Sequence, residues 1–487
     1  MSRITDRVHQ TWITSERPIP TNFVRPLMRF TQLEASGGFV LLAAAILALV
    51  WANSPVGQSY TDLWESHITI GAGPLHFDHS LKDVVNDALM AIFFFVVGLE
   101  IKRELVVGDL NDRKRAALPA IAALGGMVFP ALIYVAFVAG SDLPAEAMRG
   151  WGIPMATDIA FSVGVISLLG TRISTGAKLF LLALAIADDI GAIVVIAVFY
   201  TSDLALGWLG LALAGLLTVY VGQRVGIRSL GFYWVVGIAV WFCVFESGVH
   251  ATLAGVALGL MTPVWPWYSD DDYYRRAKLI LDRFEMESAD PRGRDRVDFS
   301  ALSLASVSRE SVSPLDRLET AIHPWSSFLI VPIFALANAG VRFTQIDVGE
   351  ALTSAVSLGV AFGLVAGKTI GITLATWLAV RFGAGKLPRR TGFRQVVGLA
   401  AIAGIGFTVS LFVTELAFED EFLTDAAKMG IFLGSLVAGV IGYAILKGSP
   451  TPEATMHAGL EMIGLEGIDG RYDPDLSEAA LEPPAPS

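Results

Sequence analysis

Charged residues and cysteine are both scarce in this chain. Only 17% of its 487 residues are Asp, Glu, Lys or Arg, against about 25% in an average soluble domain, which argues against a soluble globular protein. The single cysteine, Cys243, excludes an intramolecular disulfide. No basic patch accompanies the net charge of -11, so we expect no nucleic-acid partner. The first twenty residues lack the apolar core of a signal peptide and are expected to be cytoplasmic.

Apolar residues make up 54% of the chain, and 48 glycines accompany them. A hydrocarbon core about 30 Å thick requires about 20 apolar residues per helix, and windows of this kind recur along most of the sequence. The composition therefore predicts an all-α polytopic protein of the lipid bilayer with twelve transmembrane helices. They are expected near residues 36–53, 84–102, 117–139, 152–169, 177–200, 204–221, 229–245, 248–262, 323–341, 352–380, 394–414 and 425–447.

Basic residues follow the even-numbered spans much more often than the odd-numbered ones. Lys102, Arg103 and the run 113–115 follow the second span, whereas Arg149 stands nearly alone after the third. By the positive-inside rule, both termini are cytoplasmic.

The spans define a predicted membrane domain over 36–448, preceded by a cytoplasmic extension over 1–35. Within it, 66–80 has short alternating runs around a Gly-Ala-Gly-Pro turn, which predicts a small extracytoplasmic β-hairpin and a homodimer contact. Residues 263–322 are strongly charged and predict a long cytoplasmic loop with at least partial disorder. The acidic, Pro-rich segment 449–487 predicts a disordered tail.

Asp188 and Asp189 are adjacent in the middle of the fifth predicted span. A carboxylate at the centre of a membrane helix costs roughly 2.5 to 3.5 kcal/mol, and such residues usually mark an ion or proton path. Successive helical residues diverge by about 100°, so the two side chains need not share one ligand. A structural polar contact between helices is the alternative reading.

Two other predicted spans contain residues that interrupt helices. The fourth contains Pro154, Thr157 and Asp158, and the eleventh contains Gly404 and Gly406. Such residues are tolerated where irregular backbone is buried in protein or lines a cavity. Interrupted segments at corresponding positions of two halves indicate a transporter binding site.

The tenth predicted span contains Lys368 in an apolar setting. If the two halves run antiparallel, the interrupted helices bring like termini together. Asp158 would then offset facing N-termini and Lys368 facing C-termini, with Thr157 as a neutral oxygen beside them.

Seven motifs resemble, in order between about residues 30 and 446, the NhaA family of bacterial sodium/proton antiporters. They are NDALMAIFFFVVGLEIKREL, MATDIAF, ALAIADDIGAIVVIAVFYT, SGVHATLAGV, HPW with ALANAG, GKTIGI and GIGFTVSLF. The resemblance implies inverted-topology repeats in which broken helices 4 and 11 cross. This family is itself a known example of that architecture, so the two arguments are not independent.

The resemblance also implies a role for each site residue. Asp189 would be the main Na⁺ or Li⁺ ligand and Asp188 a proton-coupled partner paired with Lys368. Thr157 and Asp158 match the unwound motif of the fourth helix, and Gly404 and Gly406 provide the break in the eleventh. The positions tied to pH response are Glu100, Arg103, Glu104, His250 and Asp87, with Lys102 beside them.

Several of these residues have an alternative structural reading. Lys368 could be only a counter-ion, and Glu100, Arg103 and Glu104 could be ordinary ion pairs at a helix end. His250 could be a hydrogen-bonded turn residue, and Asp87 could simply begin its helix.

The sequence therefore predicts a secondary transporter of the bacterial plasma membrane rather than an enzyme. Na⁺ or Li⁺ would compete with H⁺ for the carboxylates, in an electrogenic and pH-dependent cycle without a cofactor. An intramembrane aspartyl protease needs two aspartates converging from different helices, which adjacent residues do not readily provide. A sodium-coupled symporter and a cation channel fit the aspartate pair and Lys368 less well.

Overall fold

The computed structural model describes residues 36–72, 75–201, 204–227, 229–288, 294–344, 346–388 and 391–450. The predicted N-terminal extension and nearly all of the predicted tail lie outside these residues. Helices dominate the described part, and the sheet is a single two-stranded hairpin.

The helices are numbered here in chain order. They are α1 Ser36–Ala52, α2 Gly57–Trp64, α3 Leu81–Val106, α4 Arg113–Val138, α5 Ile159–Ser167, α6 Thr175–Phe199, α7 Leu206–Val225, α8 Leu230–Phe245, α9 Thr252–Met261, α10 Asp270–Ser288, α11 Arg294–Glu310, α12 Pro314–Asn338, α13 Val348–Thr353, α14 Ala355–Arg381, α15 Phe393–Ile402, α16 Phe407–Ala417 and α17 Glu421–Lys447. A 3₁₀ helix, Ala145–Met155, precedes α5.

Seven helices in the described part are long and apolar enough to cross a membrane, and two bent helix pairs raise the number to nine. The seven are α3, α4, α6, α7, α12, α14 and α17, and the pairs are α1 with α2 and α15 with α16. Helices α8 and α9 are apolar but shorter. The chain is thus a multi-pass membrane protein.

The hairpin predicted over 66–80 is present. Strand β1, His67–Ala72, pairs antiparallel with β2, Leu75–Ser80, with His67 opposite Ser80. Helix α3 follows β2 directly, because Ser80 and Asp83 form a reciprocal capping box. The helix therefore begins at Leu81 rather than near residue 84.

The fourth predicted span is not one helix. Its first part is the 3₁₀ helix Ala145–Met155, its second part is the nine-residue α5, and 156–158 between them are non-helical. Pro154 contributes to this interruption, since its ring excludes a normal helical hydrogen bond.

The prediction of partial disorder over 263–322 was wrong for most of that segment. Helices α10 and α11 occupy it and pack together, and Tyr273 of α10 lies with its hydroxyl 3.4 Å from the Ser308 hydroxyl of α11. Helix α12 also begins at Pro314, nine residues earlier than predicted, because Ser313 caps it and accepts the N–H of Asp316.

Close helix packing brings the site residues together. A Cβ on Gly371 of α14 would lie 2.2 Å from the carbonyl oxygen of Gly125 in α4. One on Gly367 would lie 2.7 Å from the Cα of Pro130. Small residues of this kind let membrane helices approach at backbone distance, and this approach places the adjacent Lys368 in the interior.

Candidate functional site

The two interrupted segments touch through their backbones. The Asp158 N–H, between the 3₁₀ helix and α5, donates to the Ile405 carbonyl between α15 and α16 at 2.7 Å. Helices α15 and α16 meet at an angle of 47° around the break. A Cβ on Gly404 would lie 2.4 Å from the Leu364 carbonyl, and one on Gly406 would lie 3.1 Å from the Ala156 carbonyl. Gly406 therefore lets the second break approach the first closely, whereas Gly404 leaves room for the Leu364 carbonyl of α14.

Asp158 caps the helices that begin on either side of this contact. Its Oδ1 accepts the Phe161 N–H at 3.0 Å in α5. Its Oδ2 accepts the Thr408 N–H at 3.1 Å and the Thr408 hydroxyl at 2.5 Å in α16. A carboxylate suits both places, because helix N-termini carry partial positive charge. The expectation that Asp158 offsets facing N-termini agrees with this geometry.

Asp188 is paired with Lys368. The Lys368 ammonium donates to Asp188 Oδ2 and, at 3.0 Å, to the Thr157 hydroxyl oxygen. Both charged side chains are fully buried. The Thr157 hydroxyl lies 2.7 Å from Asp188 Oδ2 and 2.8 Å from the Ala403 carbonyl. Its one proton serves one of these acceptors at a time, so Thr157 links the ion pair to the break after α15.

Asp189 differs from its neighbour although it is also buried. Its residue surface is 7% exposed, against 0% for Asp188. Among the described residues, no hydrogen bond or ion pair reaches the Asp189 carboxylate. Helical geometry turns the two side chains about 100° apart, and the ammonium is directed to Asp188. Asp189 is therefore a buried carboxylate without a hydrogen-bond donor among the described residues.

The buried charges do not balance within the site. Asp158, Asp188 and Asp189 supply three carboxylates, whereas Lys368 supplies one ammonium. A buried charge without a partner is unfavourable by several kcal/mol and normally takes up a proton or binds a counter-ion. The site can therefore hold protons or a small hard cation, for which carboxylate and hydroxyl oxygens are suitable ligands.

The residues that the family resemblance ties to pH response lie in three separate places. On α3, Arg103 donates at 2.7 Å to Asp316 and at 2.6 Å to Glu319 of α12, so these ion pairs cross between helices. Glu100 and Glu104 are on the same helix and are half-buried. The two α12 acids were missed from the sequence because they lie in the segment predicted to be a loop.

His250 and Asp87 lie apart from this cluster. His250 Nε2 is 2.7 Å from the Tyr200 carbonyl, which favours the structural reading of this histidine. Asp87 lies in a π-helical turn, Val85–Leu89, inside α3. The reading that Asp87 begins its helix was wrong, because Ser80 and Asp83 do so.

Thr408 is the site residue that the sequence reading overlooked. It binds Asp158 through both its N–H and its hydroxyl. The available signal was its position two residues after Gly406, which places it in the first turn of the helix after the break.

The fold and the site together define a class. This is a multi-pass membrane protein in which two interrupted helical segments meet beside buried carboxylates, as in ion-coupled secondary transporters. The family profile described as Na⁺/H⁺ antiporter 1 matches residues 28–446. The chain therefore belongs to the NhaA family of Na⁺/H⁺ antiporters, as its motifs predict.

Relatives in several bacteria resemble the chain over most of their length. The Na⁺/H⁺ antiporter NhaA 2 of Sorangium cellulosum is 44% identical over 435 residues, 89% of this chain and 92% of the relative. The Na⁺/H⁺ antiporter NhaA of Syntrophobacter fumaroxidans is 43% identical over 439 residues, 88% and 92% of the two chains. The NhaA of Oleidesulfovibrio alaskensis is 44% identical over 425 residues, 87% and 93%.

The pairing of Lys368 with Asp188 leads to a stability prediction. Lys368→Met leaves Asp188 buried without its ammonium, which should lower the free energy of unfolding by about 3–5 kcal/mol. The double variant Lys368→Met with Asp188→Asn removes both charges and should recover most of this loss. The measurement is the unfolding midpoint of purified protein in detergent.

Lys278→Met is the matched control, because Lys278 is exposed on α10. A double variant less stable than Lys368→Met would contradict the pairing.

Proposed function

We propose that this protein exports Na⁺, or Li⁺, across the bacterial plasma membrane in exchange for H⁺. The observation that carries the proposal is the buried Asp189 carboxylate, which no described protein group neutralises, next to an Asp188 that Lys368 does neutralise. Antiporter is also the activity in the names of the relatives.

Cation and protons compete for the same carboxylates. Na⁺ is bound chiefly by Asp189, with oxygens of Thr157 and Asp188 close by and Asp158 holding the helix N-termini beside them. Protonation from one side of the membrane releases the cation there, and deprotonation on the other side allows another to bind. Because the groups interact, they titrate as a set rather than one by one.

The exchange is electrogenic, with two protons entering for each sodium that leaves. Two groups must therefore titrate in each cycle, either Asp188 with Asp189 or Asp189 with Lys368. One net positive charge then moves inward, which is worth about 2.3 kcal/mol per 100 mV. At equal pH this sustains a sodium gradient of roughly 50-fold, so the membrane potential drives export.

The architecture proposed for this cycle has twelve spans, inverted repeats and both termini in the cytoplasm. The crossing of the two interrupted segments is supported by the bond from Asp158 to Ile405 and by the capping of α5 and α16 by Asp158. The short helices α8 and α9, together with the 3₁₀ helix and α5, would supply the spans beyond nine.

pH dependence is proposed to arise at the inner end of α3. Glu100, Arg103 and Glu104 lie on one helix, and Arg103 connects it to Asp316 and Glu319 of α12. Protonation of these acids would weaken the connection between the helices. His250 and Asp87 are assigned to the same response on the family resemblance alone.

Transport measurements in everted membrane vesicles test this function. Addition of Na⁺ or Li⁺ should dissipate an imposed proton gradient, and Asp189→Asn should reduce the rate to less than about one tenth of wild type, because it removes the charged intramembrane ligand. Asp282→Asn makes the same chemical change at an exposed position of α10 and should leave the rate unchanged. A fully active Asp189→Asn protein would rule out the proposed site.

A homodimer through the hairpin over 66–80 is proposed as well. In the described residues β1 and β2 pair only with each other, so each strand has a free edge on which a second copy can add a strand. Deletion of residues 68–77 should convert dimers to monomers in mild detergent, as measured by light scattering on a size-exclusion column. Dimers that persist after the deletion would refute this contact.

A further inference from the structure

Glu415 of α16 forms ion pairs with two lysines. Its Oε2 lies 2.6 Å from the Lys82 ammonium at the start of α3, and its Oε1 lies 3.0 Å from the Lys428 ammonium in α17. The Lys82 side chain is 31% exposed, whereas that of Lys428 is 6% exposed. One lysine is therefore at the surface and the other inside, with Glu415 between them.

Glu415 lies on the face of α16 that leads to the ion site. Thr408, Phe412 and Glu415 are spaced by four and three residues and therefore share one helix face. Thr408 binds Asp158 at the end of this face nearest the ion site. The Phe412 ring packs against Phe94 of α3 and Phe334 of α12, with ring centroids 5.2 Å and 6.2 Å apart. An aromatic layer thus lies between Asp158 and the ion pairs, over about 10 Å of helix.

Lys82 and Lys428 belong to different groups of helices. Lys82 is in the group that contains α3 and α12, and Lys428 is in the group that contains α16 and α17. Helix α3 packs mainly with α9, and α12 packs with α1. Helix α16 packs with α17 and with the 3₁₀ helix, and α14 packs with α4 and α17. The ion pair of Glu415 with Lys428 is therefore internal to one group, whereas the ion pair with Lys82 joins the two groups. By contrast, the ion pair of Arg103 with Asp316 joins α3 to α12 within the group that contains Lys82.

We propose that the Lys82–Glu415 ion pair, together with the Phe94, Phe334 and Phe412 contact beneath it, is a gate. It closes the ion site on the side that the proposed topology places outside the cell, and it must separate for that side to open. This inference rests on the proposed function, because it assigns the gate to the same transport cycle.

Lys428 lowers the energetic cost of opening this gate. A carboxylate that loses its only partner in a buried place is strongly destabilised. When Lys82 moves away with α3, Glu415 keeps its ion pair with Lys428, so that opening does not leave an unpaired buried charge. Lys82 is partly exposed and can be hydrated after it separates.

The test compares apparent Na⁺ affinity from the two faces of the membrane, in right-side-out and everted vesicles. Lys82→Met removes the bond between the groups and raises the population open to the outside. Affinity from the outer face should become tighter by up to about fivefold, the factor that corresponds to about 1 kcal/mol. Affinity from the inner face should stay the same or weaken. Lys82→Gln should give the same result and serves if the first variant accumulates poorly.

Lys428→Met is the matched control, since it removes the bond inside one group. It should not tighten the affinity from the outer face. An unchanged outer affinity in both Lys82 variants, or a shift of both faces in the same direction, would overturn the gate. Failure of the proposed function is distinguishable, because wild type would then show no Na⁺-dependent proton movement from either face.

Discussion

The structure depends on three carboxylates and one ammonium buried at the meeting of two broken helices. Asp188 and Lys368 neutralise each other, and Asp158 is held by the N–H groups and hydroxyl at two helix N-termini. Asp189 remains, with no protein donor among the described residues. This imbalance is unfavourable unless a proton or a cation occupies the site. The proposed exchange of Na⁺ for H⁺ would use this requirement as its mechanism.

The backbone around the site serves to bring these charges together. Gly406 allows the second break to lie against the first, and Gly404 leaves room for α14. Gly367 and Gly371 allow α14 to lie against α4. The contact of α14 with α4 does not tolerate a side chain, since an added Cβ would lie well inside van der Waals distance of backbone atoms. The glycines thus permit the helix packing that surrounds Lys368 and Asp158, although they carry no charge themselves.

The cost of burial explains what the sequence could predict. Asp188, Asp189 and Lys368 were recognised because a charge in an apolar span is rare. The break at Gly404 and Gly406 was recognised because two closely spaced glycines weaken a helix. Thr408 was missed because a threonine in a membrane helix has no such cost. Its importance comes only from its hydrogen bonds to Asp158, a residue that is close in space but 250 positions away in the sequence.

The prediction for residues 263–322 failed for a different reason. Its high charge favoured a disordered loop, whereas Tyr273, Ala277 and Ile280 are partly buried at helical spacing in α10, which packs against α11. The composition of the segment alone does not reveal that α11 will cover these residues. The same argument applies to Asp316 and Glu319, whose pairing with Arg103 depends on α12 beginning at Pro314.

Proton release on sodium binding tests the central claim most directly. Purified protein in weakly buffered detergent is titrated with Na⁺ while a pH indicator records protons released and calorimetry records Na⁺ bound. Competition for the carboxylates predicts that between one and two protons are released per Na⁺ bound. The apparent Na⁺ affinity should weaken as the pH falls, by roughly tenfold per pH unit for each proton displaced. Asp189→Asn should abolish both signals. Sodium binding without proton release, or equal release in Asp189→Asn, would contradict the account.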